Sequence, residues 1–413
     1  MTDINKFSPN QVLVAIDIAK QSHDVVIAWP SGGTKAVKVP NSLTGYERLM
    51  KYTATDPQSV CVAFEPTADY HRNIAYWLQA HGIRCFLVSS LACARAREML
   101  FKTWDKHDRK DAQVILYLMQ QGLMQPFYDP LVAETMDIQE LSNTYHQISL
   151  ARTRCQHSLV NHYLTLYFPE MERYLHNSRS EWFCRLLLRY PTPRSITRYK
   201  PATFVKHAWD VVGRKVAKQR FLEELHETAA SSIGLPVDPT GLAVSTFKLQ
   251  LERYLTLSLQ RSELENTADN ILLQRDDYRL LRTLPGVGPV IALMIIAESG
   301  DLKRFRHYRQ YLNFCGFNLS AVQSGQQQGR YQLSKRGNAR LRYAYWLAAV
   351  SATRQRENSF RYKYERYIRK DPDNADLKRK ARVAVATKMA RVAHALVKHN
   401  TDYRGFYEFG HGT

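Results

Sequence analysis

Six cysteines (Cys61, Cys85, Cys93, Cys155, Cys184 and Cys315) are scattered through 413 residues without one CxxC pair. That scatter argues against a structural zinc site and fits reduced thiols in the cytosol. Also missing is any apolar run near the roughly 20 residues that span a bilayer. The opening MTDINKFSPN holds no apolar signal core, so nothing points to export, and the expected place is the cytosol, near the nucleoid. Neither GxGxxG nor GxxxxGK(S/T) occurs, which removes the common glycine-rich cradles for a nucleotide phosphate. Acid is scarce: 38 Asp and Glu face 58 Lys and Arg, a formal net charge of +20. Such an excess favours a polyanionic partner, nucleic acid first, over the plainer alternative of a basic surface that binds nothing.

What is present begins with Gln11 to Trp29, QVLVAIDIAKQSHDVVIAW. Val12 to Ile16 is a continuous apolar run, as in a strand buried on both faces. Gln21-Ser22-His23 reads as a turn and Asp24 to Trp29 as the returning strand. Thr34 to Val39 is a third strand, and Thr44 to Thr53 a helix. Ser59 to Phe64 is a buried strand ending at Glu65, Asp69 to Ala80 a helix stopped by His81-Gly82, and Ile83 to Val88 a further strand. This βββαβαβ order with acids at strand ends is what a ribonuclease-H-like, or RuvC-like, nuclease core requires. A small-molecule α/β enzyme shares the order.

Asp17 ends the first buried run, where a carboxylate is costly without a charged partner. It reads either as a cap on the following turn or as a metal ligand. Further on, FKTWDKHDRKDAQVILYLMQQG places Asp108 and Asp111 three apart at a helix start, on one face. The helix dipole alone accounts for two acids there. Four converging carboxylates, Asp17, Glu65, Asp108 and Asp111, repel unless cations lie among them. Magnesium suits an all-oxygen site facing phosphate. Two such ions about 4 Å apart can clamp the attacking and leaving oxygens of a phosphoryl transfer. Asp105, also three residues from Asp108, is the reserve candidate.

Residues 1–128 thus form an α/β domain, 129–275 a helical segment and 276–413 a third region. In the middle segment, Thr135 to Tyr167 and Thr246 to Asp277 are long helical runs, predicting an antiparallel pair or coiled coil. Between them, YPTP (Tyr190 to Pro193) and Gly234 to Pro239 break the chain into short helices. The third region opens on Leu284-Pro285-Gly286-Val287-Gly288, a helix-hairpin-helix string whose Gly286 and Gly288 let backbone N–H groups approach a phosphate. A tight interhelical turn is the plain reading. Next comes GFNLSAVQSGQQQGRYQLSKRGNARLRYAYWL, in which Ser324-Gly325 and a polar Gln/Gly loop precede Lys335, Arg336, Arg340 and Arg342. Small, polar and basic residues suit a backbone lying close to phosphate. Ser324 reads as nucleophile, phosphate donor or turn residue, and chemistry alone favours the turn because no neighbouring His supplies a base. Arg361 to Lys398 reads as a solvated helical region with a basic face.

The strings AIDIAK, EPTADYHRNIAYWLQAHG, DRKDA, FPE, YPTP, LPGVGPVIALMIIAESGDLKRF, and QSG followed by SKRGNARLR occur together in this order. In that combination, over nearly its whole length, the chain resembles the transposases of the insertion sequence 110 family. These are RNA-guided DEDD/serine recombinases that include the Piv DNA invertases. The resemblance implies an N-terminal RuvC-like domain whose Asp17, Glu65, Asp108 and Asp111 bind magnesium. It implies a mostly helical C-terminal transposase domain in which Ser324 attacks the DNA phosphodiester and becomes linked to it. It further implies a site shared between protomers, hence a dimer or tetramer, and a structured noncoding guide RNA, encoded by the element, that selects donor and target DNA by base pairing. Lys335, Arg340 and Arg342 are then candidates to steady the phosphate.

Three positions depart from the family pattern, which usually has Gly at Ala68, Pro at Leu319, and Lys-Thr at Lys106-His107. The first two bear on loop rigidity. The third keeps Asp105 beside Asp108 as a candidate, with spacing to Asp111 favouring Asp108. Two rivals stand: a metal-dependent nuclease or junction resolvase in which water attacks, and a nucleic-acid-binding scaffold without activity.

Overall fold

The computed structural model describes the chain apart from residues 1–9, 54–55, 102–107, 129–135, 178, 215, 321–322, 325–326, 329–331, 357 and 406–413. For residues 108–109, 175, 177, 320, 323–324, 327–328 and 332 the description covers the backbone alone. Two compact units emerge, Met1–Met136 and Asp137–Thr413.

The first unit is built on a six-stranded sheet of order β3-β2-β1-β4-β5-β6. Strands β1 (Val12–Asp17), β2 (Ser22–Ala28) and β3 (Thr34–Pro40) are antiparallel neighbours. Strand β4 (Val60–Phe64) joins β1 in parallel, and β5 (Arg84–Leu87) joins β4 in parallel. The two-residue β6 (Gln125–Pro126) closes the edge, where proline costs no ladder bond. Helices α1 (Leu43–Thr53) and α2 (His71–Ala80) share one core with Val12, Val14, Ile16, Val60, Val62 and Phe64. Helices α3 (Ser90–Phe101) and α4 (Asp108–Gln120) share the other with Ala15, Cys61 and Ala63. Both faces of the sheet are therefore covered, which is why β1 and β4 are apolar without alternation.

Three details differ from expectation. The β1–β2 connection is residues 18–21, because Asp17 pairs with Asp24 and draws Ser22 and His23 into β2. His23 is fully buried, and its Nδ1 accepts a hydrogen bond from the Ala19 N–H, which closes the connection. Helix α2 starts at His71 rather than Asp69, after Ala68 takes a left-handed φ of 44°. Helix α3 has no counterpart in the elements read from the sequence.

The second unit is helical: α5 (Met136–Ser158), a π-helical turn Leu159–Leu164, α6 (Thr165–Tyr167), a 3-10 stretch Pro169–Asn177, α7 (Glu181–Arg189), α8 (Pro193–Thr197), α9 (Pro201–Ala208), α10 (Lys218–Ala230) and α11 (Leu242–Leu272). Helices α5 and α11 run antiparallel. Tyr145 donates to Glu265, Arg152 to Ser258 and Cys155 to the Gln250 carbonyl, so rising numbers on one helix meet falling numbers on the other. The short helices between them pack into one core around Phe168, Phe183, Phe204 and Phe247.

A separate core holds α12 (Asp276–Arg282), α13 (Pro289–Ser299), α14 (Tyr308–Cys315), α15 (Ala339–Ala352), α16 (Ser359–Ile368) and α17 (Ala375–His399). The basic region expected to be a solvated surface is corrected here. Ala381, Val385, Ala386, Met389, Ala390 and Ala393 of α17 are all fully buried, so this helix runs through the core and only its outer side is basic. Buried hydroxyls there are paired: Tyr311 Oη lies 2.9 Å from Ser299 Oγ and 2.8 Å from Tyr345 Oη. No helix of the described residues is long and apolar enough to cross a membrane.

Two predictions follow from local chemistry. Ala68 carries a left-handed backbone that costs an L side chain about 1–2 kcal/mol. Ala68→Gly therefore stabilises the first unit by about 0.5–1 kcal/mol after the extra unfolded-state freedom of glycine, read by urea unfolding. The second concerns His394, which is buried and donates from Nε2 to the Phe305 carbonyl at 2.8 Å. Burial holds its pKa below the usual 6.5, with Lys398, His307 and His399 acting in the same direction and the Phe305 contact opposing. The unfolded chain thus binds the proton more readily, so this contribution is complete above pH 6.5 and is lost as pH falls towards the folded-state value. His394→Gln removes that share of the acid-side slope of Tm against pH.

Candidate active site at the ends of β1 and β4

The register of β1 on β4 pairs Ile16 with Phe64, which sets Asp17 beside Glu65, the residue directly after β4. Side chains alternate along a strand. Ile16 and Phe64 face α1 and α2, so Asp17 and Glu65 fall on the face of Ala15 and Ala63, the side covered by α3 and α4. Both acids are half-buried. A parallel pairing of two strands, not a turn, is what brings together carboxylates 48 positions apart in the chain.

Helix α4 packs against β1, β2 and β4. It carries Asp111 inward, and that residue is only 3% exposed. Its Oδ1 accepts from Arg97 of α3, with Nε and Nη2 each at 2.6 Å. One turn earlier on α3, Cys93 lies on the same side as Arg97. Burial pushes the Cys93 thiol well up, and Glu65, which also accepts its hydrogen bond, and Asp111 push the same way while Arg97 opposes. Cys93 thus reports that Glu65, Asp111 and Arg97 share one neighbourhood beneath the sheet's carboxyl edge.

Asp108 is the first residue of α4, one turn before Asp111, and its side chain lies outside the described residues. Asp105, Lys106 and His107 lie outside them entirely. Among the described residues, no three His, Cys, Asp or Glu side chains stand close enough to share an ion. Asp111 is turned instead to the Arg97 guanidinium, which supplies the positive charge this acid group requires. Carboxylate oxygens are the donors that a hard divalent cation takes, so the chemistry of Asp17, Glu65 and Asp111 fits one.

In the second unit, Ser324 lies in the short strand β8 (Gln323–Ser324), where it pairs with Gln327 of β9 (Gln327–Gln328). That hairpin is carried on a stem formed by β7 (Leu319–Ser320) and β10 (Gln332–Leu333) between α14 and α15. The side chain of Ser324 is outside the described residues.

The four basic candidates separate into two kinds. Lys335 and Arg336 are exposed, Lys335 with a φ of 55°. Arg340 and Arg342 are committed inward. Arg340 Nε lies 3.0 Å from Glu298 Oε1 in an ion pair whose alignment is not that of a hydrogen bond, while its Nη groups donate to the Ser142 carbonyl and Asn143. Arg342 donates to the Cys315 carbonyl at 3.1 Å. The two glycines differ as well. Gly286, at φ 84°, is buried so closely on α15 that a Cβ would lie 2.4 Å from the Ala348 carbonyl oxygen. Gly288 caps α13 and has open space above it.

Arg97 and Cys93 were not foreseen. The string ARARE offers a helical face of small residues, but nothing in it announces an ion pair with an acid fourteen residues on. Removing one partner of a buried pair leaves the other uncompensated. Asp111→Asn, stranding Arg97, lowers metal-free stability by about 3 kcal/mol in urea unfolding.

Comparison with known proteins agrees with this layout. A DEDD transposase model of the IS110 group matches residues 14–169, spanning Asp17, Glu65, Asp108 and Asp111. A second, described as transposase IS116/IS110/IS902 family, matches residues 278–365, spanning Gly286 to Arg342. The 44.8 kDa protein of insertion element IS116 from Streptomyces clavuligerus is 25% identical over 350 residues, 83% of this chain and 85% of that one. The transposase for insertion sequence element IS1111A from Coxiella burnetii is 28% identical over 187 residues, 45% of this chain and 50% of that one. The DEDD match is in keeping with dependence on a divalent metal. With one model on the acids and the other on the serine loop, the chain belongs to the IS110 family of transposases and is an enzyme that recombines DNA.

Proposed function

We propose that this transposase cuts and rejoins DNA through a covalent phosphoserine at Ser324, with Mg2+ held by Asp17, Glu65, Asp108 and Asp111. The observation that carries the reading is the parallel end-to-end placement of Asp17 and Glu65 on the face where α4 presents Asp111. The strand order 3-2-1-4-5, antiparallel up to β1 and parallel beyond it, supports a ribonuclease-H-like, RuvC-like domain.

A serine hydroxyl is a weak nucleophile at neutral pH. Mg2+, when bound, supplies Lewis-acid polarisation of the phosphate and a lower barrier to serine deprotonation. In the cleavage step the Ser324 oxygen bonds to phosphorus as the bond to one DNA strand's oxygen breaks. The serine proton ends on that departing hydroxyl. A hydroxyl of the incoming strand reverses the exchange, so no high-energy cofactor is consumed. Lys335 and Arg336 are exposed at the base of the serine loop, which supports a role for them in meeting phosphate. Arg340 and Arg342 act on the site by holding the loop's base to α5, α13 and α14. Gly288 at the open start of α13 is the better backbone candidate for phosphate in the helix-hairpin-helix reading, and Gly286 serves packing.

The acids and Ser324 come from separate units, and the family resemblance supports a site completed between protomers of a dimer or tetramer. The same resemblance supports an element-encoded guide RNA that reads donor and target sequence by pairing, with the protein reading backbone shape. The net charge of +20 suits such a load of nucleic acid.

The rival is water attack by a RuvC-like nuclease, with Ser324 a turn residue. Denaturing electrophoresis of the protein with labelled element-end DNA, guide RNA and Mg2+ separates them. A protein–DNA adduct forms with the wild type and is absent in Ser324→Ala. Asp17→Asn loses both adduct and strand cleavage. Cleavage that persists in Ser324→Ala overturns the serine assignment, and recombination that persists in Asp17→Asn overturns the acid assignment. Purification from cells carrying the intact element, followed by sequencing of bound RNA, recovers a noncoding transcript from the element.

A further inference from the structure

The acid site of the first unit already contains a cation, and it belongs to the protein. Arg97 reaches Asp111 with two nitrogens on one carboxylate oxygen, each at 2.6 Å. Both partners are shielded from water, at 18% and 4% side-chain exposure. Among the described residues no other ion pair is so enclosed: Arg95 with Glu98, on the same helix, is exposed at 72% and 36%, and Arg340 with Glu298 of the second unit stands at 31% and 15%. The pair also sits where it matters. Cys93, one helical turn from Arg97, bonds to Glu65 and senses the charge of Asp111. Helix α3 therefore presents its 93/97 side to the acids that α4 and the strand ends supply.

We infer that Arg97 is the resident counter-cation of the acid site, holding Asp111 while no divalent ion is bound and releasing it when one enters. The inference rests on the metal-site reading above and adds a competitor to it. Coordinated carboxylate and guanidinium-bound carboxylate draw on the same oxygen lone pairs. A divalent ion that takes Asp111 Oδ1 must displace two charge-assisted hydrogen bonds. The exchange keeps the buried carboxylate neutralised throughout, so the fold of α3 and α4 is secure without metal. The released guanidinium then lies beside the bound ion, free to meet phosphate. Arg97 is in this sense a positioning residue whose effect is read through metal affinity.

The test is Mn2+ binding to the full-length protein without DNA, followed by electron paramagnetic resonance, beside the Tm with and without Mn2+. Arg97→Gln keeps a donor and removes the charge. It binds Mn2+ about tenfold more tightly than the wild type, equivalent to roughly 1.4 kcal/mol. Its metal-free Tm falls, and Mn2+ restores more of its Tm than of the wild type's. Arg97→Lys, which keeps the charge and loses the fork, lies between and serves if the glutamine variant does not fold. Unchanged or weaker Mn2+ binding by Arg97→Gln, with wild-type binding intact, overturns the counter-cation role and leaves the metal site standing. Absence of Mn2+ binding in the wild type, matched by Asp17→Asn, overturns both.

Discussion

Like charges at the ends of two parallel strands repel, and the first unit is arranged around that fact. The pairing of β1 with β4 fixes Asp17 next to Glu65 whatever the rest of the chain does. Sheet and helices exclude water from one side of the pair, so the repulsion is less screened than at a surface. The chain could have ended these strands in neutral residues at lower cost. Keeping the acids favours positive charge nearby, and one such charge lies on the same side of the sheet, where Arg97 reaches across from α3 to Asp111 of α4. Two helices that cover the face carrying the strand-end acids are thus tied by an ion pair of their own.

The second unit solves a different problem, that of closing a short two-stranded stem on an apolar core. Its stem is two short strands, and its base is crowded. A Cβ on Gly337 would lie 2.5 Å from the Gly316 nitrogen, and one on Gly316 would lie 2.4 Å from Arg342 Nη1. The Asn338 N–H donates to the Phe314 carbonyl, and the Ser334 N–H to the Asn318 carbonyl, at 2.7 Å each. Backbone bonds, two glycines and one guanidinium therefore clamp the loop's two ends together. Rigid support of this kind is what a reacting group on the loop would require.

Elements driven by burial were legible in the sequence. Val12–Asp17, Val60–Phe64 and the helices around them follow from apolar runs and their stops. So were the long runs of α5 and α11, although α11 starts four residues earlier than read and stops at Leu272. Helix α3 escaped because its buried residues are few and small, Cys93 and Ala96, while its large apolar residues Leu91, Met99 and Leu100 are exposed, so no apolar face shows in the sequence. Helix α17 was misjudged for the related reason that alanine, valine and methionine supply its core face while lysine and arginine dominate its composition. Of the candidate site, the acids were visible as charges at the ends of apolar runs. Arg97 was not, since an ion pair between helices leaves no periodic trace. The cluster Lys335, Arg336, Arg340 and Arg342 looked uniform in sequence, whereas Glu298 and the Cys315 carbonyl divide it.

The whole-chain charge sharpens what the acid site must do. A net charge of +20 opposes the approach of a small cation from solution and favours that of a polyanion. At physiological salt the opposing field is screened beyond about 8 Å, so capture of a divalent ion depends on the carboxylates in its immediate shell. For the metal site proposed above, that would place a premium on having Asp17, Glu65 and Asp111 set on a common face by rigid elements rather than gathered by the ion itself. A DNA phosphate arriving at the same place reverses the balance. Its negative charge lowers the local positive potential, adds oxygen donors, and offers Arg97 an alternative partner to Asp111. Under the proposed metal site, metal and phosphate would therefore favour each other's binding, because each would relieve a charge that the other leaves uncompensated. With the acids in the role proposed for them, reciprocity of this kind would tie occupancy of their site to the presence of substrate, and so restrain phosphodiester chemistry where no DNA is bound.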